Sequence, residues 1–195
     1  VITVVMAAGK GTRMKTNKSK VVHKIYEREL VNRVIDTAEK VGSDEIIAVV
    51  GHQRECVMAA IGDRAKFVVQ EELLGTGHAL MQAAPLLEGK SGKVVILYGD
   101  VPLLKEETLR ALIKKSEDNN EYATVITAIY ENPTGYGRIV RDVDGRIKEI
   151  VEEKDATDEQ KRIKEINSGI YCFDIEELLI AIKQITPNNA QGEYY

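Results

Sequence analysis

An apolar run at the start of the chain, Val1 to Met6, leads straight into Ala7-Ala8-Gly9-Lys10-Gly11-Thr12-Arg13-Met14, with Lys20 six residues beyond Met14. Glycines at a strand end let backbone N–H groups turn toward a phosphate, and Lys10, Arg13 and Lys20 add positive charge there. A second apolar run ends in Tyr98-Gly99-Asp100-Val101-Pro102-Leu103. Its aspartate is a hard oxygen donor, and beside a triphosphate it suits Mg²⁺. A strand-end aspartate is also an ordinary turn former. The cationic loop favours the metal reading, because both tips face one crevice if the strands are parallel. Phosphates, a divalent cation and a cleft imply phosphoryl or nucleotidyl transfer.

Two other phosphate loops are excluded. The dinucleotide pattern GxGxxG fails because Gly9-x-Gly11 runs on to Met14, and no acidic residue closes a convincing strand about 20 residues later. The P-loop fails because Gly89-Lys90-Ser91 has Ala84, not glycine, five residues before Gly89. The composition excludes other classes. At 195 residues the chain is sized for one domain, or one domain with a small subdomain. Its 44% hydrophobic and 30% charged residues argue against a long disordered chain, and a net charge of −4 supplies no basic footprint for nucleic acid or an anionic membrane. No apolar run approaches the ~18 residues of a membrane span, and the chain opens without a secretory signal pattern, so a cytoplasmic location is expected. Cys56 and Cys172 form no CxxC and sit near no histidine pair; both are expected to be buried, reduced thiols.

These residues need a scaffold, and hydrophobic periodicity supplies one. Strands are expected at Val1–Met6, Glu45–Val50, Lys66–Gln70 and Lys93–Tyr98, alternating with helices at about Leu30–Val41, Glu55–Ile61, Thr76–Leu87 and Glu106–Ser116. That βαβαβαβα series predicts a mostly parallel, doubly wound sheet with helices on both faces. From Tyr122 the pattern changes. A long strand, Tyr122–Tyr130, precedes a hairpin of Arg138–Arg141 and Arg146–Ile150 turning at Asp144-Gly145. A charge-rich helix at Asp155–Ile166, a strand at Gly169–Phe173 and a helix at Glu176–Ile185 follow. The fold class expected is therefore α/β: a Rossmann-like parallel sheet carrying a mixed-sheet subdomain.

The loop from Ala7 to Met14 with Lys20 resembles the signature loop of sugar-nucleotide pyrophosphorylases. Further strings occur in order: Gln70-Glu71-x-Leu73-x-Gly75-Thr76-Gly77-His78-Ala79, Tyr98 to Leu103, Asn132-Pro133-Thr134-Gly135-Tyr136-Gly137-Arg138-Ile139, Ile150-Val151-Glu152-x-Lys154-Asp155-Ala156, Glu165-Ile166-Asn167 and Asn188 to Tyr195. Together they resemble the uridyltransferase domain of the bacterial bifunctional N-acetylglucosamine-1-phosphate uridyltransferase/glucosamine-1-phosphate acetyltransferase family, across essentially the whole chain.

The resemblance implies a reaction of UTP with N-acetylglucosamine 1-phosphate, with Mg²⁺, giving UDP-N-acetylglucosamine and pyrophosphate for peptidoglycan and lipopolysaccharide synthesis. The sugar phosphate attacks the α-phosphorus in line, so catalysis is positioning plus charge neutralisation. Arg13 and Lys20 carry over as the catalytic cations, and Asp100 as the metal ligand. Met6, Ala7, Ala8, Gly9, Lys20, Gln70, Gly75 and Thr76 match nucleotide-binding positions; an amide side chain and main-chain groups suit a uracil edge. Tyr98, Gly99, Gly137, Glu152 and Asn167 match sugar-contacting positions. Glu152 could instead pair with Lys154, and Tyr136 could be pocket wall or core. Residues 1 to about 120 would hold the nucleotide and 121–195 the sugar, with no nucleic acid or membrane partner.

Three departures stand out. Ser19 replaces the usual proline before Lys20, which would leave that lysine on a less rigid backbone. Ser168 replaces a threonine after Asn167 and keeps the hydroxyl. The family's domain continues past the equivalent of Tyr195 with a second metal ligand, an asparagine, and then an acetyltransferase domain through which full-length members trimerise. The present sequence is thus expected to be a truncated form with reduced transfer activity. The alternatives are a pyrophosphorylase for another sugar or nucleotide, or a nucleotide-sugar-binding module without turnover.

Overall fold

The computed structural model of the chain describes residues 1–9, 11 and 18–195. β1 (Ile2–Ala7) is followed by a ribbon of β2 (Lys24–Ile25) and β3 (Arg28–Glu29), then α1 (Leu30–Lys40), β4 (Glu45–Val50), α2 (Arg54–Ile61), β5 (Lys66–Val69), α3 (Thr76–Leu87), β6 (Lys93–Tyr98) and α4 (Glu106–Asp118). The second half contains β7 (Ala123–Ile129), β8 (Arg138–Arg141), β9 (Ile147–Val151), the single turn α5 (Asp158–Lys161), β10 (Glu165–Asp174) and α6 (Ile175–Ala181).

One sheet of order β5-β4-β1-β6-β10-β8-β9 crosses the molecule. β5, β4, β1 and β6 are mutually parallel, as the alternating series predicts. β10 is antiparallel to β6, and β7 pairs with β10 as well. β7 follows β10 along its length, whereas β6 and β8 pair with its C-terminal and N-terminal portions. The sheet is buried on both faces, which is why β1, β4 and β6 read as unbroken apolar runs. The period of two divides each strand between two cores. Val5 and Ala7 face the layer built with Val31, Ile35, Val57 and Leu109 of α1, α2 and α4. Ile2, Val4, Met6 and Ala8 face the layer of Ala79, Leu80, Ala83 and Leu178 from α3 and α6. That alternation presents Met6 and Ala8, but not Ala7, to the face where the cavity lies.

Two expectations are corrected, and one element is additional. The helix expected at Asp155–Ile166 shrinks to α5, whose start is fixed by a capping box between Thr157 and Gln160. Ile166 is buried instead in β10, paired with Ala128 on one side and Arg138 on the other. Sheet pairing on two edges outweighs helix propensity there. The β2–β3 ribbon has no counterpart in the sequence reading. Its turn uses Tyr26 and Glu27, both at positive φ (48° and 62°), so no Gly or Asn marks it. Cys172 is buried as expected, but Cys56 is exposed on α2. Among the described residues, no helix is long and apolar enough to cross a membrane.

Candidate functional site

The carboxyl ends of β1 and β6 lie side by side, tied by the Gly99 N–H to the Met6 carbonyl at 2.9 Å. After β1 the chain returns through a 3₁₀ turn at Lys20–Val22, and the Lys20 ammonium lies 2.6 Å from Asp100 Oδ2. Gly11 is required by this approach: at φ +59°, a Cβ there would stand 2.7 Å from the Lys20 Cβ. Arg13 lies outside the described residues.

Ser19 sets up Lys20. Its backbone, φ −53° and ψ 136°, already falls in the range that a proline ring imposes. The side chain is fully buried, and its Oγ has no hydrogen-bond partner among the described residues. Serine therefore keeps the proline conformation while burying a hydroxyl to no benefit. Ser19→Pro is expected to raise stability by about 1 kcal/mol, from lower unfolded-state entropy and loss of the orphan hydroxyl. Denaturant unfolding of the two proteins measures it, and an unchanged or lower midpoint contradicts this account.

On the other side of β1, Gln70 follows β5 and donates its backbone N–H to Val50 O at 2.8 Å. Gly75 caps α3 at φ +106°. A Cβ on Gly75 would meet the Tyr194 carbonyl oxygen at 2.4 Å, so no other residue fits. The reason is a strap formed by the C-terminal residues: Tyr194 N–H donates to Leu74 O and Gly77 N–H donates to Tyr194 O, both at 2.7 Å. The same strap reaches the other half. Ala190 N–H donates to Asp155 Oδ1 at 2.9 Å, Tyr195 OH to Asp155 Oδ2 at 3.2 Å, and Lys154 Nζ to Gln191 Oε1 at 3.0 Å.

Gly137, Glu152 and Asn167 converge from β8, β9 and β10. A Cβ on Gly137 would lie 2.8 Å from Glu152 Oε1, and Asn167 N–H donates to Gly137 O at 2.9 Å. Burial, helped by nearby Asp155 and opposed by Arg138, pushes the half-buried Glu152 carboxyl above its ordinary range. Glu152 does not pair with Lys154, which turns to Gln191. The register of β10 against β7 shifts between Asn167 and Tyr171. Within that bulge Gly169 stands at φ +80°, where a Cβ would strike the Tyr98 ring at 2.7 Å. The glycine leaves room for the Tyr98 ring, and burial raises the pKa of its hydroxyl against the opposing effect of a hydrogen bond with Thr76.

Beneath these residues Arg138 is 1% exposed. Its guanidinium binds Glu153 at 2.7 Å and donates to the carbonyls of Tyr136 and Lys161. Tyr136 itself is neither pocket wall nor core: it is exposed and packs edge-on against Tyr130.

A single cavity of about 1090 Å³ joins the two ends. Met6, Ala8, Gly9, Lys20, Gln70, Gly75, Thr76, Tyr98, Asp100, Glu152 and Asn167 all line it. Ala7, Gly99 and Gly137 do not; Ala7 packs in the opposite core, Gly99 against Val21 and Val31, and Gly137 behind Glu152. Sequence reasoning gave no role to four further lining residues, Tyr171, Gln191, Glu193 and Tyr195. Tyr171 could have been found, since it lies an even number of residues from Asn167 and the bulge between them, four residues opposing two, preserves that parity. Asp100 fits a Mg²⁺ site of one carboxylate completed by phosphate oxygens and water, the coordination this ion favours over all-protein cages. Among the described residues no cluster of three metal-ligating side chains occurs.

Comparison with known proteins places this geometry in a family. The chain is 50% identical over 194 residues to the bifunctional protein GlmU of Acetivibrio thermocellus, covering 100% of this chain and 42% of that protein. It is 49% identical over 194 residues to GlmU of Caldanaerobacter subterraneus subsp. tengcongensis, with the same coverage. GlmU of Enterococcus faecalis is 46% identical over 192 residues, or 98% of this chain and 42% of that protein. The chain thus spans less than half the length of these curated relatives. The crystal structure of a Bacillus anthracis protein provisionally assigned as a glucose-1-phosphate thymidylyltransferase, in complex with a sucrose, superposes with a TM-score of 0.80 at 19% identity, covering 98% of this chain and 78% of that one. That likeness establishes the α/β fold. Because residues 3–162 match the profile of the MobA-like NTP transferase domain, with the parallel strands and the Lys20–Asp100 crevice inside the match, the chain belongs to that nucleotidyltransferase family.

Proposed function

We propose that this chain carries a uridyltransferase site that converts UTP and N-acetylglucosamine 1-phosphate into UDP-N-acetylglucosamine and pyrophosphate. The observation that carries it is the single cavity uniting the Lys20–Asp100 pair, the Gln70–Thr76 loop and the Glu152–Asn167 wall. In this reading residues 1 to about 120 hold the nucleotide and 121–195 the sugar. Met6, Ala8 and Gly9 offer backbone groups to the nucleotide, and Gln70, Gly75 and Thr76 hold the base. Tyr98, Glu152 and Asn167 hold the sugar, with Gly137 packed behind Glu152.

The sugar phosphate oxygen attacks the α-phosphorus, a new P–O bond forms, the bond to the β-phosphate oxygen breaks, and pyrophosphate leaves. No covalent enzyme intermediate is required. Arg13 and Lys20 neutralise the phosphates, so Lys20 leaves Asp100 as the nucleotide arrives. Asp100 would hold Mg²⁺, which when bound supplies further charge neutralisation at the phosphates. The location that matches these small polar substrates is the cytoplasm, and the product supplies peptidoglycan and lipopolysaccharide precursors.

Calorimetry with UDP-N-acetylglucosamine, UDP-glucose and an adenine nucleotide sugar tests the reading, alongside pyrophosphate release from UTP and N-acetylglucosamine 1-phosphate. Preference for the first ligand, with release dependent on both substrates, is expected. Equal binding of all three would contradict it. The raised Glu152 carboxyl adds a pH prediction. As pH falls through that raised value the carboxylate gains a proton, loses its charge, and keeps only part of its capacity to accept from sugar hydroxyls. Affinity for UDP-N-acetylglucosamine should therefore fall on the acid side at a pH above the ordinary glutamate value of 4.5. In Glu152→Gln that step should vanish; a step that persists in the variant belongs to another group.

A further inference from the structure

We propose that His78 is a positioning residue that makes the base end of the cavity selective for uracil over cytosine, by fixing which atom of the Gln70 amide the base meets. The inference rests on the uridine-nucleotide reading above and names the side chain that would enforce it.

Gln70 is 3% exposed, so its amide has few ways to satisfy itself. Gln70 Nε2 lies 3.1 Å from the Gly75 carbonyl oxygen and 3.1 Å from His78 Nδ1. A carbonyl only accepts, so the Gln70 atom facing Gly75 must be the nitrogen. That carbonyl is itself held by the Ala79 N–H in the first turn of α3, at 3.2 Å. The second amide hydrogen then points to His78 Nδ1, which must accept. A neutral imidazole with an accepting Nδ1 carries its proton on Nε2, and that atom faces the Gln82 side-chain amide at 3.2 Å. The Gln82 nitrogen that faces it also lies 3.4 Å from the His78 carbonyl oxygen, so to accept from Nε2–H the Gln82 amide turns by 180° and gives up that longer contact. Gln70 thus donates on both sides, to the Gly75 carbonyl and to His78, and His78 donates onward to Gln82.

Both hydrogens of the Gln70 amide are committed by these contacts. Its Oε1 has no hydrogen bond to any described residue, and Gln70 lines the cavity. The site therefore offers a base an acceptor and withholds a donor. Uracil presents N3–H, which satisfies an acceptor. Cytosine presents an N3 lone pair, which leaves Oε1 unpaired and faces it with like polarity. A site built to receive a hydrogen rejects the analogue that lacks it more strongly than an apolar pocket can. Without His78, one Gln70 N–H loses its partner and the amide is free to turn that donor to the base.

The test is calorimetry with UDP and CDP, neither of which needs the sugar or turnover, on the wild type, His78→Leu and His78→Asn. Asparagine places a carbonyl oxygen close to where Nδ1 stands and restores the acceptor. The wild type should prefer UDP by about a hundredfold. In His78→Leu the UDP/CDP ratio should fall at least about tenfold, and in His78→Asn it should recover most of the way. A ratio unchanged in folded His78→Leu, with the wild-type preference intact, overturns the role of His78 and leaves the uridine reading standing. A wild type that does not prefer UDP overturns the uridine reading itself, and this proposal with it. The ¹⁵N spectrum of the wild-type histidines gives a readout independent of any variant: His78 should show an unprotonated Nδ1, and an Nδ1–H tautomer would overturn the proposal.

Discussion

Asp100→Ala should lower pyrophosphate release by at least about a thousandfold while leaving the unfolding midpoint nearly unchanged. A metal held at this carboxylate would contribute several kcal/mol to the transition state, and each 1.36 kcal/mol is a factor of ten. Stability should scarcely move, because the pair it breaks is partly solvated, with 42% of the Lys20 side chain and 29% of the Asp100 side chain exposed. The measurement is turnover against Mg²⁺ concentration, with circular dichroism melts as control. Unchanged turnover in a folded variant would remove Asp100 from the mechanism. UDP-N-acetylglucosamine binding should persist, since the base and sugar walls do not include this residue's partners.

The largest stability effect is expected at Arg138. Arg138→Ala should cost about 3 kcal/mol, because removing the fully buried stem leaves a void and the carbonyls it served lose their donor, whereas Glu153 is partly exposed and can be solvated. The guanidinium is the hub that holds Glu153 and the Tyr136 and Lys161 carbonyls, so its loss frees the chain on both sides of β8. Arg138→Met retains the stem volume and should recover part of the loss. Urea unfolding should show lower midpoints with unchanged slopes. A cost below about 1 kcal/mol for the alanine variant would mean that the buried ion pair adds nothing over an apolar side chain.

The parallel half was legible because each strand is apolar on both faces and each helix carries one apolar stripe. Bounds at Glu45–Val50 and Lys93–Tyr98 agree residue for residue with periodicity alone. Where register decides the structure, periodicity says less. Ile166 joined β10 because two strands flank it, and neither partner is visible in its own neighbourhood of sequence. The Tyr26-Glu27 turn adopts positive φ without the residues that usually announce it. Among site residues, eleven of those named from motifs line the cavity, because strand-end glycines and acids keep fixed positions relative to the sheet. The strap residues form a recognisable string, but nothing in their spacing gives them a task. Their contacts, Leu74, Gly77 and Asp155, are set by folding distances that spacing does not encode.

That strap has a metric consequence. Tyr194 is bound by two backbone hydrogen bonds, one to Leu74 in the loop ahead of α3 and one to Gly77 in its first turn, and Ala190 and Tyr195 are bound to Asp155 beside Glu152. The span between the Gln70–Thr76 loop and the Glu152 end of the cavity, the base and sugar walls of the proposed reading, is therefore held by a short cross-member and not left to the bending of the sheet. Such a cross-member works as a ruler: it fixes how long a ligand must be to touch both walls at once, and a diphosphate linker one phosphate shorter or longer would have to give up one of them.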